Sequence, residues 1–337
     1  MSASAPSQSL RSSPVTARAL PEADVLPFST LRTTKPSRDA HPRWLICGAT
    51  PAYSTERGSC FCGDSVELMK AMPAGSVDLV ITSPPYALEF QKEYGNQSKE
   101  NYISWFLRYA EQIKRILSDD GSFVLNIGGS YNKGSPTRSL YHFRLLLALC
   151  DDLGFHLAQE CFWFNPAKLP APAEWVNVRR VRVKDSVEYV WWLSLNPWPK
   201  ADNRRVLAEY SRDMIRLIER GYRSKVRPSG HNITQKFLRN HGGAIPTNLI
   251  SRGNNESNSH YIARSRALGH KVHPARYPAA IPEFFIKFLT EDGQLVLDPF
   301  GGSNMSGAVA EALDRRWLAI EIEPQYVENS RLRFAAA

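Results

Sequence analysis

An apolar run stops abruptly at a Ser-Pro-Pro-Tyr corner in residues 78–86, DLVITSPPY. Proline fixes φ and lacks a backbone donor, so the strand predicted at 77–81 has to end at this corner. In parallel α/β sheets, ligands bind just outside the carboxyl ends of strands. Ser83, the Pro84 carbonyl and Tyr86 would therefore offer a hydroxyl, a rigid acceptor and an aromatic face to a flat ring that bears an amino group. The alternative is a plain turn, with Tyr86 packed on the core.

A second motif is a strand that runs into a glycine-rich loop before a helix, at residues 295–303, LVLDPFGGS. Such loops let the backbone approach a bound nucleotide closely. The next predicted strand ends at Glu321, about where an acid takes ribose hydroxyls in nucleotide-binding βαβ units. The chain has neither Gly-x-Gly-x-x-Gly nor a phosphate-binding P-loop, which favours a nucleoside cofactor without a pyrophosphate. The alternative is a tight turn in which Asp298 is satisfied internally.

Alternating strands and helices position these motifs. The pattern predicts strands at 59–62, 77–81, 122–127, 157–164, 186–195, 294–297 and 317–322, and helices at 65–72, 100–117, 139–153, 281–289, 306–313 and 325–334. This alternation predicts a parallel α/β sheet. A less regular stretch rich in Arg, Gly, Asn and Ser, from about 200 to 266, interrupts it.

Length and composition limit the classes of protein to which this chain can belong. The 337 residues suffice for one large domain with an insertion. The five cysteines are scattered, and Cys60-Phe61-Cys62 has no second pair that would complete a zinc site. No metal site is expected, and the cysteines fit a reducing compartment. Since no apolar stretch approaches the ~18 residues of a membrane span and no signal core opens the chain, we expect a soluble protein that stays in the cytoplasm.

The positive charge is concentrated in the middle of the chain. Residues 165–280 hold 21 Lys and Arg against 8 Asp and Glu, a net +13, whereas the rest of the chain sums to −4. Tryptophan, tyrosine, asparagine and histidine interleave these charges, as in nucleic-acid-binding surfaces. The alternative is a solvated basic surface without a partner.

With both motifs in hand, the chain resembles the amino-methylating DNA methyltransferases from about residue 59 to its end. Ser83-Pro84-Pro85-Tyr86 is the form typical of the cytosine-N4 branch found in restriction–modification systems. The catalytic corner precedes the basic stretch and the cofactor loop, as in the permuted group called beta. The resemblance implies a Rossmann-like methyltransferase sheet in circularly permuted order, in which the segment near Cys60 supplies the strand beside the one ending at Glu321.

The resemblance also implies S-adenosylmethionine as cofactor. The matching positions are Asp64, His273, Arg276, Tyr277, Asp298, Phe300, Gly301, Gly302, Ser303, Asn304 and Glu321. Asn304-Met305 departs from the Gly-Thr or Asn-Thr of many relatives, which puts a hydroxyl contact there in doubt.

The catalytic residues implied are Ser83, Pro84, Pro85 and Tyr86. A cytosine amino group is a poor nucleophile because its lone pair is delocalised into the ring. Acceptors at Ser83 and the Pro84 carbonyl would localise that lone pair, with the base flipped out of the duplex and stacked on Tyr86. No Pro-Cys dipeptide occurs, which disfavours the C5-cytosine route through a cysteine nucleophile.

Four segments follow from this interpretation: a tail without a fold at 1–40, a catalytic part at 41–199, a target-recognition insertion at 200–266 and a cofactor-binding part at 267–337. Double-stranded DNA is the expected partner, while a homodimer and a cognate restriction endonuclease stay open. Arginine and asparagine read guanine and adenine edges, and Lys and Arg hold phosphates. The candidates are Arg223, Lys225, Arg227, His231, Asn232, Arg252, Asn254 and Asn255.

Other functions remain alternatives. Adenine-N6 methylation is the runner-up, because some relatives with similar corners methylate adenine. RNA methylation and a non-catalytic DNA-binding module that kept the fold are less favoured. Glutamine methylation is disfavoured because such relatives carry Asn-Pro-Pro-Tyr. A dehydrogenase is disfavoured because its phosphate-binding glycines are missing.

Overall fold

The computed structural model describes residues 40–88, 97–221, 239–254 and 258–334. Nine strands occur in these ranges: β1 Tyr53–Ser54, β2 Gly58–Cys62, β3 Val77–Thr82, β4 Leu117–Ile127, β5 His156–Phe164, β6 Val187–Ser194, β7 Leu249–Ser251, β8 Leu295–Asp298 and β9 Arg316–Glu321. The helices described are α1 Ser65–Lys70, α2 Tyr102–Ile116, α3 Tyr141–Leu147, α4 Arg212–Arg220, α5 Ser259–Ala267, α6 Ala280–Leu289, α7 Met305–Ala312 and α8 Pro324–Ser330.

The strands form one sheet in the order β1-β2-β9-β8-β3-β4-β6-β5-β7. The five strands from β2 to β4 in this order are parallel, which confirms the predicted α/β sheet. Strand β6 departs from the predicted parallel arrangement, because it lies between β4 and β5 and is antiparallel to both. Parallel neighbours need a long crossover connection, and the chain from β5 to β6 turns back as a hairpin instead.

The two ends of the described chain meet within the sheet. Strand β2 pairs parallel with β9, with Cys60 opposite Ala319. The predicted permuted order is therefore confirmed: the strand beside Glu321 comes from the N-terminal part. This pairing makes a single sheet from segments that lie more than 250 residues apart in sequence.

Helices cover both faces of the sheet. Adjacent residues of a strand point to opposite faces, and in β3 the buried Leu79 and Val80 belong to different apolar clusters. Val80 shares its cluster with residues of α1, α2 and α3, whereas Leu79 packs with residues of α6 and α7. This three-layer packing fixes the carboxyl ends of the central strands.

The segment predicted as an insertion contributes to this domain. Strand β7 extends the sheet beside β5, and α5 buries Tyr261 and Ser265. The Ser265 hydroxyl donates to the Asn329 carbonyl oxygen at 3.0 Å, and the Asn329 amide donates to the Tyr261 hydroxyl at 3.0 Å. The predicted tail falls almost wholly outside the described residues.

The helices of the described ranges are all too short or too polar to cross a membrane. In the same ranges, no group of three or more His, Cys, Asp or Glu side chains is arranged to hold a metal ion. All five cysteines carry free thiols.

Candidate active site

The carboxyl ends of β3, β8 and β9 open into a cavity of about 930 Å³. Both sequence motifs line it: the corner at 83–86 and the loop at 298–303. The two motifs are linked directly, because the Thr82 hydroxyl donates to Asp298 Oδ1 at 2.7 Å. A cavity of this size is typical of sites for a small organic cofactor together with part of a substrate.

Ser83 and Tyr86 belong to a hydrogen-bonded group that we call the Tyr86 network: Ser83, Tyr86, Asn126, Lys168 and Glu188. The Ser83 and Tyr86 hydroxyls lie 3.1 Å apart, and the Tyr86 hydroxyl donates to Glu188 Oε2 at 2.7 Å. The Asn126 amide nitrogen lies 2.8 Å from the Tyr86 oxygen and 3.3 Å from both Ser83 Oγ and Glu188 Oε2. Lys168 pairs with Glu188 Oε1 at 3.1 Å.

The Tyr86 ring is held by close backbone packing. A Cβ on Gly128, which follows β4, would lie 2.6 Å from the ring, so only glycine leaves room for it. The Tyr102 hydroxyl donates to the Pro85 carbonyl at 2.9 Å and so fixes the backbone of the corner. Burial, followed by the charge of Glu188, raises the pKa of Tyr86 well above its ordinary value, so the phenol stays protonated.

Asp298 holds the two motifs together from within. Its Oδ1 accepts from Thr82 and from the Phe300 amide at 3.1 Å, while its Oδ2 accepts from Ser306 at 2.6 Å and from Tyr277 at 3.3 Å. Burial raises its pKa, and these donors oppose that shift. The Asp298 carboxylate is thus satisfied internally and positions the glycine loop.

Glu321 keeps more acceptor capacity toward the cavity. Its Oε2 accepts from the Gly302 amide at 2.7 Å and its Oε1 from the Glu323 amide at 2.9 Å, so each oxygen takes a single donor. Burial raises the pKa of Glu321 above its ordinary value. Gly302 has φ 51° and lies under the His273 ring, where a Cβ would approach to 3.2 Å. The loop therefore needs a glycine here.

Aromatic side chains form one wall of the cavity. Phe300 lies with its ring centroid 4.8 Å from that of Tyr109 and 5.8 Å from that of Trp105. Beside them, the Ser65 hydroxyl donates to the Pro299 carbonyl at 2.5 Å. This wall offers flat apolar surface to a purine ring.

The segment before α6 also lines the cavity. His273, Arg276 and Tyr277 all line the cavity, as predicted. Burial lowers the pKa of His273 to about 4, so its ring is neutral at neutral pH. Arg276 Nε is buried without a hydrogen-bond partner among the described residues. Such an unsatisfied cationic donor indicates a position for an anionic group of a ligand.

Two predicted cofactor residues serve as helix caps. Asp64 accepts from the amides of Val66 at 2.7 Å and Glu67 at 3.3 Å at the start of α1. Asn304, at φ 53°, accepts from the Gly307 amide at 3.0 Å and donates to the Tyr53 hydroxyl at 2.9 Å. Neither side chain lines the cavity, whereas Ser303 and the rest of the loop do.

Two of the predicted DNA-binding residues lie in the described ranges. Asn254 lines the cavity mouth, and Arg252 is exposed just after β7. Arg223, Lys225, Arg227, His231, Asn232 and Asn255 lie outside the described residues.

Sequence reasoning did not single out several residues that the fold brings to the cavity: Ser65, Trp105, Tyr109, Asn126, Asn165, Lys168 and Glu188. Asn126 carried the best signal, since it is a polar residue near the end of the predicted strand at 122–127. Glu188 lies 102 residues after Tyr86 in sequence and meets it only because β6 returns beside β4.

Comparison with known proteins agrees with this geometry. Residues 77–332 match the model of a family described as DNA methylase, which spans both motifs and the sheet between them. The chain belongs to this DNA methylase family. The resemblance drawn from the Ser83 corner and the Asp298 loop is thereby confirmed.

Among similar DNA methylases, the type II methyltransferase M.PvuII of Proteus hauseri is 51% identical over 86% of this chain and 87% of its own length. Type II methyltransferase M.ScaI of Streptomyces caespitosus is 28% identical over 82% and 81%. A solved structure named PvuII DNA methyltransferase (cytosine-N4-specific) superposes with a TM-score of 0.71 at 46% identity, covering 86% of this chain and 90% of that one. A DNA modification methylase from Thermus thermophilus shares the fold, with a TM-score of 0.52 at 19% identity over 83% and 95%.

Proposed function

We propose that this DNA methylase transfers a methyl group from S-adenosylmethionine to the N4 amino group of a flipped-out cytosine in double-stranded DNA. The observation that carries the proposal is the shared cavity, which both the Ser83 corner and the Asp298 loop line. The cytosine-N4-specific name of a structure 46% identical to this chain supports the choice of base.

The cavity residues fit S-adenosylmethionine. Glu321 has acceptor capacity for a ribose diol, and the Phe300 wall offers stacking surface for adenine. The buried, unsatisfied Arg276 Nε suits the carboxylate of the methionine part. No helix N-terminus with a glycine-rich phosphate fingerprint is needed, since the cofactor carries no phosphate. When bound, S-adenosylmethionine supplies an electrophilic methyl group.

The protein groups then have to make the amino nitrogen nucleophilic. Ser83 and the Pro84 carbonyl lie at the corner where the amino group of a flipped cytosine would arrive, and both residues line the cavity. Accepting hydrogen bonds from both of its N–H groups draws the nitrogen toward a pyramidal geometry and localises its lone pair. Since these acceptors are fixed before the base arrives, little reorganisation remains at the moment of transfer.

The approach of DNA is supported by the segment between β5 and β6. This segment carries the exposed cations Arg179, Arg180, Arg182 and Lys184, and its first residues line the cavity mouth. Lys and Arg at such positions bind phosphates regardless of sequence. The +13 segment therefore begins beside the site of chemistry, and target recognition is proposed for 200–266 together with this hairpin.

A cytoplasmic location is part of this proposal, because bacterial DNA lies in the cytoplasm. The type II names of the similar methyltransferases support a cognate restriction endonuclease that acts on the same site.

The test is transfer of a radiolabelled methyl group from S-adenosylmethionine to duplex plasmid DNA by the purified protein. We expect label in DNA, none in RNA or in protein, and recovery of the label as N4-methylcytosine after digestion. Ser83→Ala should bind the cofactor normally and lose transfer. Label found only in N6-methyladenine would refute the choice of base and support the runner-up.

A further inference from the structure

The Tyr86 network ends in a carboxylate that no step above uses. We propose that Glu188 receives, through Tyr86 and Ser83, the proton that the amino group loses when it is methylated. This inference rests on the proposed function. It assigns Glu188 a role beyond shaping the cavity.

Proton removal is required by the chemistry. A cytosine amino nitrogen that gains a methyl group forms a carbon–nitrogen bond and keeps both of its hydrogens, so it carries a positive charge. The carbon–sulfur bond of the methyl donor breaks at the same time, and its electron pair stays on sulfur. The neutral product, a methylamino group with one hydrogen, forms only when one proton leaves.

The geometry gives that proton a route. The amino proton passes to Ser83 Oγ, the Ser83 proton passes to the Tyr86 oxygen 3.1 Å away, and the Tyr86 proton passes to Glu188 Oε2 over 2.7 Å. Both hydroxyls end with one proton each, and Glu188 ends neutral. No oxidant, reductant or further reactant is needed.

The neighbours of Glu188 fix the geometry of this route. Asn126 faces Ser83, Tyr86 and Glu188 with its amide nitrogen, a donor that cannot take up a proton, and so holds the three oxygens around one point. Lys168 pairs with Oε1 of Glu188 at 3.1 Å and leaves Oε2 to the Tyr86 hydroxyl. The Glu188 side chain is only 15% exposed, so bulk water has limited access to the chain of hydroxyls.

The other two carboxylates that line the cavity, Asp298 and Glu321, lie outside the Tyr86 network. Asp298 accepts four donors from Thr82, Phe300, Ser306 and Tyr277, and Glu321 is tied to the backbone at Gly302 and Glu323. The raised pKa of Tyr86 means that its phenol hands a proton on and does not rest as a phenolate.

The test compares Glu188→Gln with the wild-type protein. Glutamine keeps the shape and an acceptor for the Tyr86 hydroxyl, but its amide cannot take up the proton. We expect the single-turnover rate of methyl transfer to fall about 100-fold, with the dissociation constants for cofactor and duplex DNA unchanged within about threefold.

Two further variants distinguish a proton relay through Glu188 from a purely structural role of this residue. Tyr86→Phe interrupts the same route one step earlier and should lower the single-turnover rate by a similar factor. Glu188→Asp keeps a carboxylate and should recover part of the rate. A Glu188→Gln protein that keeps the wild-type rate, or a Glu188→Asp protein that is no faster than Glu188→Gln, would overturn the relay. A wild-type protein that forms no N4-methylcytosine would instead refute the proposed function.

Discussion

Replacing Gly128 by alanine should displace Tyr86 from its hydrogen-bond partners while leaving the cofactor site intact. The new Cβ would lie 2.6 Å from the Tyr86 ring, which has to retreat by about 0.8 Å to reach an ordinary contact distance of 3.4 Å. The Tyr86 hydroxyl is bonded to Glu188 at 2.7 Å and to Asn126 at 2.8 Å. A retreat of this size is enough to take either bond out of hydrogen-bonding range.

The expected loss follows from that displacement. A misplacement of about 1 Å in a catalytic group costs about 100-fold in rate, or about 2.7 kcal/mol of activation free energy. The assay is single-turnover methyl transfer to a duplex oligonucleotide at saturating cofactor, together with cofactor binding by calorimetry. We expect the rate to fall and the cofactor dissociation constant to stay within about threefold of wild type.

Gly129→Ala is the matched control at the next position. Its Cβ would clash with the guanidinium end of Arg138, which is part of a long side chain that can move away, and would lie at an ordinary contact distance of 3.4 Å from the His142 ring. We expect a rate within about threefold of wild type. A Gly128→Ala protein that unfolds at the wild-type temperature and transfers methyl groups at the wild-type rate would refute the claim that Tyr86 needs its observed position.

Three further predictions concern stability and DNA affinity. Burial lowers the pKa of His142 from 6.5 to about 4, so the free energy of unfolding should fall by up to about 3 kcal/mol as the pH drops from 6.5 to 4 and should not depend on this group above pH 6.5. His142→Phe should flatten the pH dependence of urea unfolding between pH 6.5 and 4, and an equally steep dependence in the variant would contradict this reasoning. Ser306→Ala removes the 2.6 Å donor to the buried Asp298 and should lower the free energy of unfolding by about 1–3 kcal/mol, whereas an unchanged urea midpoint would show that this bond contributes nothing. The double variant Arg179→Gln with Arg182→Gln should weaken DNA binding and lower the slope of log K against log salt by up to about 2, measured by fluorescence anisotropy; an unchanged slope would exclude phosphate contacts there.

Local patterns in the sequence predicted the two motifs well. The prolines at 84 and 85 require the strand to end, and the glycines at 301 and 302 allow a close backbone approach. Each motif can therefore be recognised from fewer than ten consecutive residues. The alternating apolar runs also gave the central strands within one or two residues, except that β4 begins five residues earlier than predicted.

Non-local features were harder to predict. The antiparallel return of β6 between β4 and β5 has no local signature, because hairpin and crossover connections both use polar loops. Glu188 and Lys168 reach the cavity through that return. A lone glutamate in an apolar strand therefore gave no sign of its contact with Tyr86.

Residue type alone was also ambiguous at helix starts. Asp64 and Asn304 are predicted to contact the cofactor; in the structure both cap helices, and their contact with the cofactor stays a prediction. Short polar side chains suit both tasks, since each satisfies exposed backbone amides or ligand donors with the same oxygen atoms.

The most direct test of the central claim is nucleoside mass spectrometry of plasmid DNA from a methylation-free bacterial host that expresses this chain. The cavity shared by the Ser83 corner and the Asp298 loop predicts N4-methylcytosine in the wild-type sample and none in the sample from Ser83→Ala. Plasmid DNA that carries only N6-methyladenine or 5-methylcytosine, or that carries no modified base while the folded protein is present, would contradict it.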